Sequence, residues 1–394
     1  MNRLLEAARR LHGQMIEWRR DFHQYPELGY EEHRTSAKVA EHLRGLGLEV
    51  QTGVGRTGVV GLLRGDREGP TILLRADMDA LPIPEADKGI DYMSKAEGKA
   101  HLCGHDAHTS MLMGAAQILK ERGLRRGNVK FMFQPAEEGL AGARAMIEDG
   151  VLDNPRVDAA CALHVSPAHP TGRIALMRGA GWAAMDRITI RIIGQGGHAA
   201  MPHLAVDAIP VAAQVITALQ QIVSRQTDPL DSAVVTIGKI SGGHAFNAIA
   251  PEVLLEGTVR TLDPETQRRI RASIEAVVKG VTSSFGAGYE FEYEEGYPVL
   301  ANSDEMNELV KRVCDETLGA GHWEYGKTSM GAEDFAFVAQ RVPSVMFRLG
   351  TCNGEKTAYP LHHPMFNLDE DALPIGAALL ASMAVHYLEK AQER

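Results

Sequence analysis

The sequence predicts an α/β protein in which a mixed, mostly parallel sheet flanked by helices is interrupted by a smaller, ferredoxin-like α+β domain. Three observations predict this fold class. The chain has 394 residues, which is too long for one ordinary core. Its first half alternates helical and strand-like patterns, and its middle follows the order β-α-β-β-α-β. We therefore expect two domains, the larger of them discontinuous in sequence.

The elements of the larger domain follow from hydrophobic periodicity. Helical periodicity covers residues 3–24, 32–46, about 106–121 and about 141–149. Apolar runs typical of strands are LEVQT, GVVGLL, TILLRAD, NVKFMFQ and AACALHV. GVGRTG (53–58) satisfies the GxGxxG pattern of dinucleotide-binding loops, but a strand follows it, so we interpret it as a tight turn. Strands that alternate with helices favour a largely parallel sheet covered by helices.

The middle of the chain has a different pattern. The predicted order is the strand DRITIRIIG, a helix over about 205–224, the strands SAVVTIGKI and EVLLEGTVRT, a helix near 264–284 and the strand YEFEYEE. This order is the split βαβ, ferredoxin-like unit. The sheet-and-helix pattern then resumes near residue 295. We therefore predict an inserted domain at 182–293 within a larger domain formed by 1–181 and 294–394.

Composition excludes several classes of partner. The net charge is −10, so the basic surface typical of nucleic-acid binding is missing. The first twenty residues are amphipathic and charged, unlike a signal peptide. The longest nearly apolar run, at 372–385, is too short to span a bilayer and predicts a buried helix. Four well-separated cysteines form no disulfide framework. We expect a cytoplasmic protein that binds neither nucleic acid nor membranes.

Polar side chains come directly after three predicted strands. TILLRAD leads into Asp77 and Asp79, VKFMFQ leads into Glu137 and Glu138, and ACALHV ends near His164. Ligands of open parallel sheets bind beyond the carboxyl ends of the strands. We therefore expect these side chains to meet at one edge of the sheet.

The segment HLCGHDAHTS (101–110) concentrates three histidines, a cysteine and an aspartate in ten residues. In Cys103-Gly-His105 the glycine lets two side chains turn toward one point, which suits a metal site. Taken alone, the triplet also fits a buried free cysteine beside a surface histidine. Adjacent acids such as Glu137 and Glu138 also fit a solvated loop. One of the other histidines of the segment would orient a ligand.

Two catalytic chemistries compete for these residues. Cys103 with a nearby histidine fits a thiol nucleophile. The many carboxylates favour a metal site instead, because a metal-bound water needs only a carboxylate as its base. The sequence contains neither GxSxG nor SxxK, which disfavours the common serine acyl-transfer enzymes.

Seven motifs occur in an order that resembles a known family. They are RRDFHQYPELGYEE, LLRADMDALPI, HLCGHDAHTSMLMGAA, FQPAEEG, GQGGHAAMPH, GAEDFAF and LHHPMFNLDEDALPIGAA. Together they are similar to the M20 metallopeptidase clan, and within it to the amidohydrolase branch of hippurate hydrolases and indoleacetyl–amino acid hydrolases. The resemblance covers essentially the whole chain.

The resemblance implies a dinuclear metal site. The ligands that it implies in this sequence are Cys103, His105, Glu138, His164 and His362. The site would hold two divalent metal ions per subunit, and the mixed ligands suit Mn²⁺, Zn²⁺, Co²⁺ or Ni²⁺. His363, next to His362, leaves the last ligand open, although the Leu–His spacing favours His362.

The resemblance also implies roles for other residues. Glu137 matches the general base and Asp79 the acid that orients the site. His198 matches a histidine of the smaller domain that reaches a neighbouring subunit's active site and stabilises the tetrahedral oxyanion. Asn247 and Arg260 match substrate-binding positions, and the guanidinium of Arg260 suits a substrate carboxylate.

The function that the resemblance implies is hydrolysis of N-acyl amino acids with acetyl, benzoyl or aryl-acetyl groups. The inserted domain would act as a lid and dimerisation surface, giving a homodimer or higher homo-oligomer. A metallo-carboxypeptidase or dipeptidase acting on free peptides is an alternative with the same chemistry. A non-catalytic metal- or amino-acid-binding protein is an alternative from another class. No role is assigned to His244 or Phe246 of SGGHAFN.

Overall fold

The computed structural model describes residues 3–390, and the chain forms two compact units. The larger unit contains the residues up to Gly181, Ala301–Lys327 and the residues from Asp334 onward, and the smaller unit contains Trp182–Leu300 and Thr328–Glu333. The smaller unit ends later than the predicted residue 293, because its last strand continues to Tyr297. The return of residues 328–333 to the smaller unit was not predicted.

Helices and strands are numbered in chain order. The α-helices are α1 (Arg3–Arg10), α2 (His12–Gln24), α3 (His33–Gly45), α4 (His105–Arg122), α5 (Glu137–Leu140), α6 (Gly142–Glu148), α7 (Ala208–Gln221), α8 (Pro264–Ser284), α9 (Asp304–Leu318), α10 (Ala336–Ala339) and α11 (Ala372–Lys390). The strands are β1 (Glu49–Val54), β2 (Gly58–Arg64), β3 (Thr71–Asp77), β4 (Asn128–Gln134), β5 (Ala159–Pro170), β6 (Ile174–Leu176), β7 (Gly179–Trp182), β8 (Ala184–Ile193), β9 (Gly197–His198), β10 (Ala233–Gly242), β11 (Ala248–Ile249), β12 (Glu252–Thr261), β13 (Gly288–Tyr297), β14 (Leu300–Asn302), β15 (Trp323–Tyr325) and β16 (Ser344–Cys352).

The main sheet of the larger unit has eight strands in the order β1-β2-β4-β3-β5-β16-β6-β15. The four strands from β4 to β16 are mutually parallel, and β6 and β15 are also parallel. The pairs β1/β2, β2/β4 and β16/β6 are antiparallel. The prediction of a mixed, mostly parallel sheet is confirmed. β1 and β2 form a hairpin, since only residues 55–57 join them, and Gly53 and Gly55 supply positive φ angles of 79° and 60° at the predicted turn.

Helices α4 and α11 pack closely against each other in the core of the larger unit. A Cβ at Gly376 of α11 would overlap the Sδ of Met111 in α4, so the glycine permits the close approach. By length and composition α11 would also pass for a membrane span, but 78% of its apolar window is buried inside the protein. The prediction of a buried helix at 372–385 is confirmed. The helical conformation predicted over 3–24 is confirmed, and the chain breaks at Leu11 into α1 and α2.

The smaller unit contains an antiparallel four-stranded sheet in the order β10-β12-β8-β13, with α7 and α8 packed on it. Ile188, Ile190 and Ile192 of β8 alternate into this core, as the sequence pattern predicts. Helix α8 occupies the predicted residues. Asp263 caps it by accepting the N–H of Thr266 at 2.7 Å. The chain order β-α-β-β-α-β and the antiparallel pairing are those of the predicted ferredoxin-like unit.

Candidate metal centre

The predicted acids lie at neighbouring strand ends in the larger unit. Asp77 ends β3 and pairs in register with Gln134, the last residue of β4. Because β3 and β4 are parallel, Asp79 and the segment after β4 leave the sheet at the same edge. His164 lies inside β5, so the prediction that this strand ends there is wrong. β5 continues because β16 pairs alongside it as far as Pro170.

The five predicted ligands and Glu137 converge in the larger unit. Within each of three overlapping groups the possible ligand atoms lie within 4.8 Å of one another. The groups are Cys103, His105 and His164, then Cys103, Glu138 and His362, and finally His105, Glu137 and Glu138. Because the groups share members, they form one cluster, which we call the ligand cluster.

Hydrogen bonds orient two imidazoles of the ligand cluster. His105 Nδ1 lies 2.9 Å from the carbonyl oxygen of Asp79, and His164 Nδ1 lies 2.8 Å from that of Val165. A carbonyl can only accept, so each Nδ1 carries a proton, and each Nε2 is the nitrogen left to bind a metal. The Nε2 of His164 lies 3.6 Å from the Sγ of Cys103. This is the arrangement of metal-binding histidines, whose second nitrogen is fixed by an outer partner.

Two buried polar atoms of the ligand cluster have no hydrogen-bond partner among residues 3–390. They are the Nε2 of His105 and the Oε1 of Glu138, although the Nε2 of His362 lies 3.3 Å from this oxygen without the geometry of a hydrogen bond. An unsatisfied buried polar atom costs about 1–3 kcal/mol, and a cation bound between these two atoms would remove that cost. Burial opposes protonation of His105, yet Asp77 and Cys103 raise its pKa well above the ordinary value. Surroundings that favour a proton on this ring also favour a cation beside it, so these residues fit a divalent metal.

The environment of Cys103 disfavours a free thiol nucleophile. Burial raises the pKa of its thiol well above the ordinary value, and the charge of Glu138 raises it further. A cysteine acts as a nucleophile or ligand only as the thiolate. A nearby cation would supply the missing stabilisation, which supports the metal alternative.

Asp79 holds two members of the ligand cluster at once. Its Oδ1 lies 3.2 Å from the Nδ1 of His105, and its Oδ2 accepts the backbone N–H of Glu138 at 3.0 Å. Its side chain is 2% exposed. Asp79 therefore lies where an acid that orients the site was predicted.

The segment from 135 to 143 carries Glu137 and Glu138 in an unusual backbone conformation. Ala136 and Ala141 are left-handed, with φ angles of 54° and 58°. Each non-glycine residue in this conformation costs roughly 1–2 kcal/mol. A Cβ at Gly142 would overlap the carbonyl oxygen of Pro135. The fold thus maintains strain beside the two glutamates. We call the segment from residue 135 to residue 143 the Glu137 loop.

The adjacent residues His362 and His363 contact different parts of the structure. His362 has a φ of 65°, and its Nε2 lies 3.3 Å from the Oε1 of Glu138. The ring of His363 stacks on Tyr359 at a centroid distance of 4.9 Å, and its Nδ1 accepts the N–H of Met365. His362 therefore belongs to the ligand cluster, and His363 does not.

The sequence predicted that a second histidine of segment 101–110 would orient a ligand, but it did not indicate that His108 does so together with Asp77. His108 Nε2 accepts the N–H of Val165 at 2.9 Å, so its Nδ1 is the nitrogen that donates to Asp77 at 2.6 Å. Asp77 also receives a charged hydrogen bond of 2.6 Å from Arg75. With both ring nitrogens occupied, His108 orients the site and binds no metal. The three-residue spacing from His105, which places both on one face of a helix, was the available signal.

The remaining predicted residues lie in the smaller unit. His198 in β9 pairs with Ala248 in β11, and the carbonyl of Asn247 accepts the N–H of Ala199 at 3.2 Å, so His198 and Asn247 are neighbours. Both are exposed. Arg260 lies on β12 beside Val259, whose side chain joins the helix-covered core, so alternation places Arg260 on the other face of the sheet.

Known proteins resemble this chain over nearly its whole length. Peptidase family M20/M25/M40 matches residues 73–386. N-acetyl-L-cysteine deacetylase of Bacillus subtilis is 40% identical over 97% of this chain and 90% of its own length. Thermostable carboxypeptidase 1 of Saccharolobus solfataricus is 38% identical over 99% of each chain. The crystal structure of the YXEP protein of Bacillus subtilis, a dinuclear metal-binding peptidase of the M20 family, has a TM-score of 0.85 and 34% identity, covering 97% of this chain and 99% of that one. The chain therefore belongs to the M20/M25/M40 peptidase family and is a metal-dependent amidohydrolase.

Proposed function

We propose that the protein hydrolyses the amide bond of N-acyl amino acids. A deacetylase of N-acetyl-L-cysteine and a carboxypeptidase are both close in sequence. In the reactions that these names describe, the amide nitrogen belongs to an amino acid with a free carboxylate, while the acyl side differs. The shared leaving group supports a substrate class defined by its amino acid side.

The observation that carries the proposal is the convergence of five potential ligands beside Glu137. The residues that would hold two divalent ions are Cys103, His105, Glu138, His164 and His362. Such ions, Mn²⁺, Zn²⁺, Co²⁺ or Ni²⁺, lower the pKa of a water molecule and polarise a carbonyl. The side chains of the protein carry out the proton transfers and bind the substrate.

Glu137 is the proposed proton carrier. Its side chain is 8% exposed and lies in the ligand cluster next to His105 and Glu138. There it takes a proton from the attacking water and returns it to the amide nitrogen, which is otherwise a very poor leaving group. Asp79 keeps the imidazole of His105 and the backbone of Glu138 in place during these transfers.

The smaller unit supplies the proposed substrate contacts. Burial lowers the pKa of Arg260 from its ordinary value, although the charge of Asp186 opposes the shift, so an anionic substrate group beside Arg260 would be stabilising. A guanidinium binds a carboxylate through two parallel hydrogen bonds. We propose that Asn247 assists binding and that His198 donates to the oxyanion from a second subunit of a homo-oligomer.

The proposal is tested with purified protein loaded with each of the four metals. Acetyl, benzoyl and indoleacetyl amino acids should be hydrolysed, whereas the matching N-acyl amino acid amides, which lack the carboxylate, should react slowly. A chelator should abolish turnover and added metal should restore it. Glu137→Gln should retain bound metal and lose at least about a hundredfold in kcat. Glu121→Gln, an exposed exchange of the same kind, serves as the control.

A metallo-carboxypeptidase is the second candidate, and the relative from Saccharolobus solfataricus favours it. The two functions differ in what lies on the acyl side of the scissile bond. Dipeptides with a free amino group, compared with the same amino acids carrying an acetyl or benzoyl group, separate them. Hydrolysis of the dipeptides alone would establish the peptidase, and absence of hydrolysis with all substrates and metals would contradict both.

A further inference from the structure

The motif RRDFHQYPELGYEE contributes no residue to the ligand cluster, yet three of its last four residues, Gly29, Tyr30 and Glu32, contact the Glu137 loop. A Cβ at Gly29 would lie 3.0 Å from the Cα of Ala136, so the two backbones touch. The hydroxyl of Tyr30 donates to the carbonyl oxygen of Leu140 at 3.1 Å. The Oε1 of Glu32 accepts the backbone N–H of Ala136 at 2.8 Å.

The carboxylate of Glu32 is fully enclosed by these contacts. Its side chain is 0% exposed, and its Oε2 accepts the hydroxyl of Thr57 at 2.5 Å. Burial raises the pKa of Glu32 to about 7, although the bond from Thr57 opposes the shift. Burying an acid is unfavourable unless it is hydrogen-bonded. The fold therefore buries a carboxylate in surroundings that disfavour its charge. Each of its oxygens accepts one hydrogen bond, Oε1 from the N–H of Ala136 and Oε2 from the hydroxyl of Thr57.

The residue that Glu32 holds immediately precedes the proposed base. Ala136 is left-handed and fully buried, and it determines the direction in which the chain enters Glu137. A left-handed alanine needs outside contacts to persist. The amide hydrogen bond from Ala136 to Glu32 is such a contact at the start of the Glu137 loop.

Two other buried acids hold amides of the same loop. Asp79 accepts the N–H of Glu138 at 3.0 Å, and Asp334 accepts the N–H of Ala143 at 2.9 Å. Asp334 also receives a hydrogen bond of 3.1 Å from Arg75. The loop is thus held at its start, its middle and its end by three carboxylates from distant parts of the sequence.

We propose that Glu32 is a positioning residue that aims Glu137 by holding the amide of Ala136. The inference rests on the proposed function, because Glu137 has its role as proton carrier there. Glu32 is fully buried and bonds to the backbone of Ala136, so its loss acts on the geometry of proton transfer. A misplacement of about 1 Å from a residue outside the chemistry can cost about a hundredfold in rate.

The test compares Glu32→Ala with Glu32→Gln in metal-loaded protein. Glutamine keeps an oxygen that can accept the N–H of Ala136, whereas alanine does not. We expect kcat to fall about tenfold to a hundredfold in the alanine variant, with KM and metal content unchanged, and to recover to within about threefold in the glutamine variant. Hydrogen exchange of the 135–143 segment should become faster in the alanine variant.

Glu27→Ala is the matched control. Glu27 belongs to the same motif and accepts the backbone N–H groups of Arg34 and Thr35 at 2.9 and 2.8 Å, at the start of α3. Its loss should lower the melting temperature but leave kcat and exchange of the 135–143 segment unchanged. If Glu32→Ala does not fold, the double variant Glu32→Gln/Thr57→Val replaces it, because valine removes the hydroxyl that bonds to residue 32. This variant should show a smaller fall in kcat and a smaller increase in hydrogen exchange of the 135–143 segment.

The outcomes separate this inference from the proposed function. Normal kcat and exchange in a folded Glu32→Ala variant would overturn the positioning role, as would equal losses in the Glu27 and Glu32 variants. If Glu137→Gln itself keeps its activity, the proposed function fails instead. The exchange measurement does not depend on activity, so it tests the hold on the loop in either case.

Discussion

Cys103, His105 and Asp79 of the larger unit are 7%, 1% and 2% exposed, whereas His198 and Asn247 of the smaller unit are exposed. The buried set is held by partners behind it, such as the carbonyl of Asp79 behind His105. The exposed residues lie in short strands and turns with local hydrogen bonds. His198, for example, accepts the backbone N–H of Ala200. Burial thus preforms one set of residues, while the other keeps free surface for a substrate or a second chain.

The difference decides what a substitution reports. Replacing a buried ligand removes binding and also leaves its outer partner unsatisfied, so stability and activity change together. Replacing an exposed residue leaves the core intact, because surface substitutions usually change stability by less than about 0.5 kcal/mol. The smaller unit is therefore the cleaner place to separate function from folding.

Replacing His362 should have the greatest effect, because His362, and not the adjacent His363, belongs to the ligand cluster. His362→Ala should lose metal and more than about a hundredfold in kcat, because even outer partners of a metal ligand are worth about 10–100-fold. His363→Ala should remain within about threefold, since its ring stacks on Tyr359. Metal content and kcat of the paired variants measure this. Equal losses in both would remove the distinction that the structure draws between them.

Local patterns predicted much of the fold but fewer of the supports of the site. Strand β3 and helix α8 lie where predicted, because a short apolar run and helical periodicity are local signals. The ligand cluster was predicted through motifs. The hydrogen bond between Glu32 and the N–H of Ala136 joins residues that are 104 positions apart in sequence. Hydrophobic periodicity is a local pattern, so it cannot predict such a pair. The continuation of β5 past His164 depends on β16, which is equally remote.

Replacing the exposed His198 should lower activity without lowering stability. His198→Ala should lower kcat about tenfold to a hundredfold, as expected when a donor to the oxyanion is lost. Its melting temperature and metal content should stay at the wild-type values, because the side chain is exposed. Kinetics measure the fall in kcat, and calorimetry and metal analysis measure the melting temperature and the metal content of the same variant.

Mixing the His198→Ala and Glu137→Gln variants tests whether His198 acts across subunits. Hybrid oligomers would contain one complete site, so part of the activity should return after subunits have exchanged. Labelled subunits provide the control that exchange has occurred. A mixture that exchanges and stays inactive would place His198 and Glu137 in the same chain's site.

The smallest expected effect concerns the pH dependence of stability in the buried set. Burial raises the pKa of Glu32 from the ordinary value of 4.5 to about 7, so the folded protein favours the protonated acid. This contribution to stability is complete below about pH 4.5 and is lost as pH rises through about 7. Glutamine does not titrate, so the stability of Glu32→Gln relative to wild type should rise as the pH increases across this window. Thermal unfolding at a series of pH values measures the difference, and curves that stay parallel would show that Glu32 keeps the same pKa on unfolding.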